Sequence, residues 1–228
     1  MNVLITVLFF VLLSFSSVAE QKTYLERQIK KCDLDDGSGC YNLGFMYDNG
    51  YGVKKDEFKT VELYKKACDL DDGRGCFNLG VMYNNGEGVR KDEFKTVEFL
   101  KKACDLDHGY GCSVLGVMYS NGEGVRKDEF KAVEFLKKAC DLDDGFGCTS
   151  LAARYMLGIG VKKDEFKAVE FLKKACDLSH GAGCWQLGTV YEYGTGVRKN
   201  LQKAKEFYGK GCDLKESVAC QKYAELVD

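Results

Sequence analysis

The chain has 228 residues, with 33 basic and 35 acidic side chains, 12 cysteines, 2 histidines and no proline. A net charge of -2, drawn from charges scattered along the whole length, excludes the basic footprint of a nucleic-acid or anionic-membrane binder. The length suits one or two globular domains, but a unit of 36 residues recurs without a gap at 41 to 76, 77 to 112, 113 to 148, 149 to 184 and 185 to 220, and a fixed period implies one array in place of independent domains.

The chain opens on an apolar run at residues 3 to 15, followed by Ser17-Val18-Ala19. This predicts a signal peptide over residues 1 to 19, with a retained membrane anchor as the alternative. No Lys or Arg precedes the run, which departs from the usual pattern. Residues 24 to 34 match only the second half of a repeat and are more polar, as a capping helix requires, so residues 20 to 40 are read as an N-terminal cap.

Within a copy, Cys76, Leu79, Gly80 and Tyr83 share one face of a first helix, here called helix A. It is predicted to stop at Asn85-Gly86, because glycine takes the left-handed conformation that ends helices. Asp92 then supplies the N-cap of a second helix, helix B, with Phe94, Val97, Leu100 and Cys104 on its buried face. Phe99 and its counterparts Leu63, Phe135, Phe171 and Phe207 face the other way, so helix B is packed on two sides. Gly44, Gly80, Gly116 and Gly188 are expected to let helix B approach helix A closely. Runs such as Lys54-Lys55 and Arg90-Lys91 sit beside Asp and Glu and read as solvated loop charges. Residues 221 to 228 resemble a short helix A and serve as a C-terminal cap.

The cysteines stand at 32 and 40, 68 and 76, 104 and 112, 140 and 148, 176 and 184, and 212 and 220. Behind a signal peptide this spacing reads as an oxidising compartment with Cys32 bonded to Cys40, Cys68 to Cys76, Cys104 to Cys112, Cys140 to Cys148, Cys176 to Cys184 and Cys212 to Cys220. Zinc sites place ligands two to four residues apart in pairs, so no metal or cofactor is expected. His108 and His180 stand two repeats apart and replace the aspartates seen at Asp72 and Asp144. The fold expected is all-α: an α/α solenoid of disulfide-stapled helical hairpins, with about twelve helices wound as a right-handed superhelix and no sheet. The segment DLDHGYG is expected to link helix B of one copy to helix A of the next.

Leu115-Gly116, Tyr119, Gly122, Gly124-Val125, Lys131-Ala132 and Lys138-Ala139-Cys140 resemble the Sel-one-like repeat, a relative of the tetratricopeptide repeat. The paired cysteines look like those of the Helicobacter cysteine-rich protein family. That resemblance implies a secreted protein, an adaptor role among related repeat proteins, and weak β-lactam binding or hydrolysis. No S-x-x-K, S-D-N or K-T-G element is present, and Tyr119-Ser120-Asn121 occupies the position of Tyr47-Asp48-Asn49 and Tyr83-Asn84-Asn85, so no catalytic residue is assigned.

Related superhelices line their concave side with helix A, which implies a groove here. Its candidate residues are Asn42, Phe45, Asn49, Arg74, Asn78, Asn85, Tyr110, Asn121, Phe146, Arg154, Gln186 and Tyr193, on a face that varies between copies while buried positions hardly change. Amides would pair with an extended peptide backbone, the aromatic rings would anchor side chains, and Arg74 or Arg154 would take a carboxylate. The expectation is a monomeric, secreted scaffold holding a peptide or partner protein, with a β-lactam as the alternative ligand and no nucleic-acid or membrane partner after signal cleavage. Two departures stand out: Ala152-Ala153-Arg154 in the fourth copy, and Asn200-Leu201-Gln202 in the fifth, where the others read Asp-Glu-Phe.

Overall fold

The computed structural model describes residues 22–226. The signal-peptide reading therefore falls outside the described residues, as do the last two residues of the C-terminal cap. Twelve helices and no strand are present among the described residues. The chain divides into two compact units between Leu106 and Asp107. The first holds α1 (22–33), α2 (Gly37–Asn49), α3 (Glu57–Asp69), α4 (Gly73–Asn85) and α5 (Glu93–Asp105). The second holds α6 (Gly109–Asn121), α7 (Glu129–Asp141), α8 (Gly145–Leu157), α9 (Glu165–Asp177), α10 (Gly181–Tyr193), α11 (Leu201–Asp213) and α12 (Ser217–Glu225).

The helix boundaries follow from capping chemistry. The Asp92 carboxylate accepts the amides of Phe94 and Lys95 at 3.0 and 3.1 Å, which opens α5 as expected. Gly86 closes α4 with φ of 77°, and its amide donates to the Met82 carbonyl. His108 opens α6 through Nδ1, which accepts the Gly111 amide at 3.1 Å, so this histidine does the work of the aspartate it replaces.

Two expectations are corrected. The inter-copy link is shorter than the seven-residue segment suggested: between α7 and α9's partner α8 it consists of Leu142, Asp143 and Asp144 alone. The glycines that resembled a loop lie inside the first turn of the A helix, and Gly147 is there because a Cβ at that position would come within 2.6 Å of Ala139 Cβ on α7. Phe94 is not buried. It is 77 % exposed, as are Phe58, Phe130 and Phe166 to a similar degree. Steps of three residues fall about 60° short of a full turn, so a row starting at Phe94 drifts off the face centred on Val97, Leu100 and Cys104. Thr96 and Ala103 complete that face.

In the second to fifth hairpins the helices close on one another through matched rings, and small residues assist. Tyr83 stacks on Phe99, Tyr119 on Phe135, Tyr155 on Phe171 and Tyr191 on Phe207, with centroids 5.3 to 5.5 Å apart. Phe99 also packs against the Tyr64/Leu79/Met82 and Cys68/Cys76/Ala103 clusters, as its two-sided exposure to neighbours required. Gly188 faces the ring of Tyr208, where an added Cβ would lie 2.6 Å from Cδ1.

Tyr64 and Tyr208 occupy the position filled by Leu100, Leu136 and Leu172, and both are essentially inaccessible. Their hydroxyls fare differently. Tyr208 donates to Glu192 at 2.5 Å and lies 3.2 Å from Thr189 Oγ1. The Tyr64 hydroxyl is buried without a hydrogen-bond partner; burial pushes its pKa up, while the Asn78 amide pulls the other way without reaching hydrogen-bond geometry. Removing an unsatisfied buried hydroxyl is nearly free, whereas removing one end of a satisfied charged pair is not. Tyr64→Phe is therefore expected to leave stability unchanged or raise it by up to about 1 kcal/mol, and Tyr208→Phe to lower it by about 1 to 2 kcal/mol, read by urea denaturation.

Successive B helices are tied by a lysine clamp. Lys66 Nζ donates to the Cys32 carbonyl at 2.8 Å and pairs with Asp35 at 2.9 Å; Lys102 does the same with the Cys68 carbonyl and Asp71. The lysines add a charged donor to carbonyls at the end of the preceding B helix that also accept the amides of Asp35 and Asp71. Ser179 interrupts the series, and Lys210 turns to Glu206 instead.

Candidate functional site

Within each unit, disulfides pin the start of a helix to the end of the helix before it. Cys32 bonds Cys40, Cys68 bonds Cys76, Cys140 bonds Cys148, Cys176 bonds Cys184 and Cys212 bonds Cys220. Cys104 and Cys112 are also in disulfide linkage, and no described cysteine is free. Exposed side chains on the A helices therefore project from rigid supports.

In the first unit, Phe45 is half-exposed and its ring lies 6.5 Å from Tyr41 and 5.9 Å from Tyr51, an exposed aromatic cluster. Arg74 sits over the Tyr41 ring at 4.3 Å, pairs with Asp72 at 2.5 Å and reaches Ser38 Oγ at 3.2 Å. Asp72 holds its guanidinium pKa above the ordinary value. Asn42 donates to Gln28 and Asn49 to the Phe45 carbonyl. Asn85 donates to Glu87 in the following turn, and Asn78 is half-buried beside Tyr64.

In the second unit, Tyr110 and Phe146 meet edge-to-face with centroids 6.1 Å apart, and both remain more than a third exposed. Leu157 and Tyr193 are 68 % and 66 % exposed on α8 and α10. Asn121 donates to Glu123 at 2.8 Å, and Gln186 is half-buried. The rings of the predicted face are thus presented to solvent, while Asn49, Asn85 and Asn121 spend an amide hydrogen on their own helix end or turn.

Arg154 occupies a place of its own. It stands where Met46, Met82 and Met118 are buried, and its guanidinium donates to Glu129 at 2.6 Å and to the Ser120 hydroxyl. Ser120 in turn donates to Glu129 at 3.2 Å. The cation is closed on partners of its own chain, which leaves it a poor receptor for a ligand carboxylate. The same contacts hold Ser120, the serine of the Tyr-Ser-Asn triplet, in a structural role.

A second surface lies beside the exposed phenylalanines that periodicity placed inside. Phe94 and Phe130 each line a shallow cleft where the A-helix tyrosine meets the following turn and the first residues of helix B. One such cleft, about 830 Å³, is lined by Tyr83, Arg90, Lys91, Asp92, Phe94 and Lys95; another, about 600 Å³, by Tyr119, Arg126, Lys127, Glu129, Phe130 and Lys131. Lys95 and Lys131 cover the tyrosine rings at 4.8 and 5.4 Å. The signal for this surface was the strict recurrence of Phe at one position, which core packing and surface display produce equally well.

Repeated hairpins, internal bridges and exposed rings on varied positions define a disulfide-braced helical-repeat scaffold. The chain belongs to the Sel1 repeat family, whose model matches residues 37–72, 73–108, 109–144, 146–180 and 181–216. The first of these copies begins at Gly37, the first residue of α2, where the period counted from the sequence begins at Tyr41. Among solved structures the chain is similar to a Sel1 repeat protein from Oxalobacter formigenes, at 22 % identity over 95 % of this chain and 87 % of that one, with a TM-score of 0.81. It is also similar to c5321, a protective antigen of uropathogenic Escherichia coli, at 26 % identity over 87 % of this chain and 43 % of that one, TM-score 0.79. Helicobacter pylori cysteine rich protein B is 39 % identical over 58 % of this chain and 95 % of that one, TM-score 0.48. None of the curated proteins matches the chain.

Proposed function

We propose that the protein is a secreted scaffold that binds an extended peptide or a partner protein on the concave face lined by its A helices. The observation that carries this reading is the set of solvent-facing rings, Phe45, Tyr110, Phe146 and Tyr193, on helices that the disulfides hold in place. Aromatic side chains on a rigid support lose little entropy on binding and supply large contact area. The disulfides suit an oxidising compartment, and no helix among the described residues is long and apolar enough to cross a membrane.

The test is capture from an array of extended peptides by the oxidised full chain, repeated with Tyr110→Ala/Phe146→Ala. Loss of both rings is expected to weaken the captured peptides by roughly tenfold to a hundredfold. Captured peptides that bind the double variant as well as they bind the parent would sink the assignment to this face.

A further inference from the structure

The fifth hairpin departs from the others at Asn200-Leu201-Gln202, and the departure changes the electrostatics of its cleft. In earlier copies the loop lysine is paired with the first glutamate of helix B: Lys55 with Glu57, Lys91 with Glu93, Lys127 with Glu129 and Lys163 with Glu165, at 2.8 to 3.9 Å. Leu201 stands where that glutamate would be and Asn200 where the capping aspartate would be. Asn200 still caps α11, its side-chain oxygen accepting the Lys203 amide at 3.0 Å, so the helix start survives the loss of both charges. Lys199 and Arg198 form no ion pair among the described residues.

The resulting cleft, about 730 Å³, is lined by Phe166, Tyr191, Gly196, Arg198, Lys199 and Lys203, among others, with three cations and no carboxylate in its lining. Glu165, the residue before Phe166, is taken by Lys163 at 2.8 Å and by the Gly196 amide. Phe166, 75 % exposed, comes from α9, and the Gly196 turn rests against the α9 start, where a Cβ would lie 2.6 Å from the Glu165 carbonyl oxygen. Lys203 covers the Tyr191 ring at 5.1 Å. Tyr191 and Tyr193 are two residues apart on α10 and so point to opposite sides of it, which sets this cleft apart from the A-helix face.

We propose that this cleft is a docking site for an acidic peptide segment of a partner protein, with its carboxylates against Arg198, Lys199 and Lys203 and an apolar side chain against Phe166 and Tyr191. The charge selects the occupant. Unpaired cations at the edge of an aromatic floor reward a ligand that is anionic and apolar within a few residues, and they repel a basic one. The inference does not depend on the A-helix reading, because the two surfaces use different residues.

The experiment is fluorescence anisotropy of the oxidised full chain with a labelled Glu-Asp-Phe-Glu-Asp peptide and with a Lys-Arg-Phe-Lys-Arg control. The acidic peptide is expected to bind, to weaken as salt rises past about 0.15 M, and to bind roughly tenfold more weakly to the variant carrying Asn200→Asp, Leu201→Glu and Gln202→Phe. That variant installs the residues with which other copies fold, so loss of binding cannot be laid to misfolding. Phe166→Ser is expected to cost a further severalfold. Equal binding of both peptides, acidic-peptide binding that the triple variant retains, or no binding at all would overturn the proposal. So would retention of phosphatidylglycerol vesicles without affinity for the peptide, which would assign the cations to lipid.

Discussion

Replacing Cys140 and Cys148 with alanine is expected to lower the unfolding free energy by about 2.5 kcal/mol, the chain-entropy value for so short a loop. Both cysteines are fully buried, and the pair closes a sequence separation of eight between α7 and α8. A short loop gains less from cross-linking than a long one, because the open chain already keeps its ends close. The bridge acts at a junction of three connecting residues, where Asp143 takes a left-handed backbone at φ of 61° and Asp144 accepts the Gly147 amide at 2.7 Å. Alanine, unlike serine, leaves no buried hydroxyl to confound the measurement. Urea denaturation should show a lower midpoint with an unchanged or slightly larger m-value, since the uncrosslinked chain expands further when unfolded.

The same change at Cys212 and Cys220 should behave differently. That bridge holds α12, a nine-residue terminal helix in which Ala219 is the buried residue. Its removal is expected to raise amide exchange in α12 while the α7–α8 core keeps its protection, because a terminal element opens locally at little cost to the rest. A fall in global stability as large as that at α7–α8 would contradict the assignment of α12 as a cap.

Glu129→Ala is expected to destabilise the second unit by about 2 kcal/mol, while Arg154→Met leaves it unchanged or more stable. Breaking a buried ion pair costs about 3 to 5 kcal/mol because the survivor is stranded. Here the guanidinium and carboxylate are 18 % and 24 % exposed, so solvent recovers part of that. The asymmetry comes from the partners. Without Glu129, Arg154 retains only the Ser120 hydroxyl; without Arg154, Glu129 retains Lys127 at 3.0 Å. Methionine is also the residue that fills this position in the first three copies, at 3 to 4 % exposure.

The pair carries a pH signature. Burial opposes ionisation of Glu129, but the Lys127 hydrogen bond, the Arg154 charge and the Ser120 hydroxyl outweigh it and hold the carboxyl below its ordinary value of 4.5. A depressed carboxyl contributes stability that is fully present above the unfolded value and is lost as pH falls through the folded one. Arg154→Met should therefore flatten the acid limb of the stability profile below pH 4.5. An acid limb identical in parent and variant would show that the pair contributes nothing measurable.

Much of the hairpin was legible because its signals are local. The Asp92 cap, the Gly86 stop and the Gly188 contact with helix B each rest on the stereochemistry of one residue, and repetition multiplied a weak signal several times over. The cysteine spacing was equally plain, since a bridge over eight residues is set by neighbours in the chain. Burial was harder to read. Phe94 shares a three-residue spacing with Val97 and Leu100, yet three residues turn a helix about 60° short of a full turn, and the ring drifts into solvent.

Site residues followed the same division. That Arg154 and Asn200-Leu201-Gln202 depart from the repeat was visible by counting residues. That Arg154 is closed on Glu129 and Ser120, 25 and 34 residues away, depends on how α6, α7 and α8 pack together. That a phenylalanine delivered by another hairpin stands beside Lys199 likewise depends on the seating of the Gly196 turn against α9. The sequence by itself determined the period, the all-α class, the caps and the bridges, because these are set by residues near one another in the chain. Only the tertiary structure decided which rings are dry and which charges are already paired, because those are properties of neighbours brought together from separate helices.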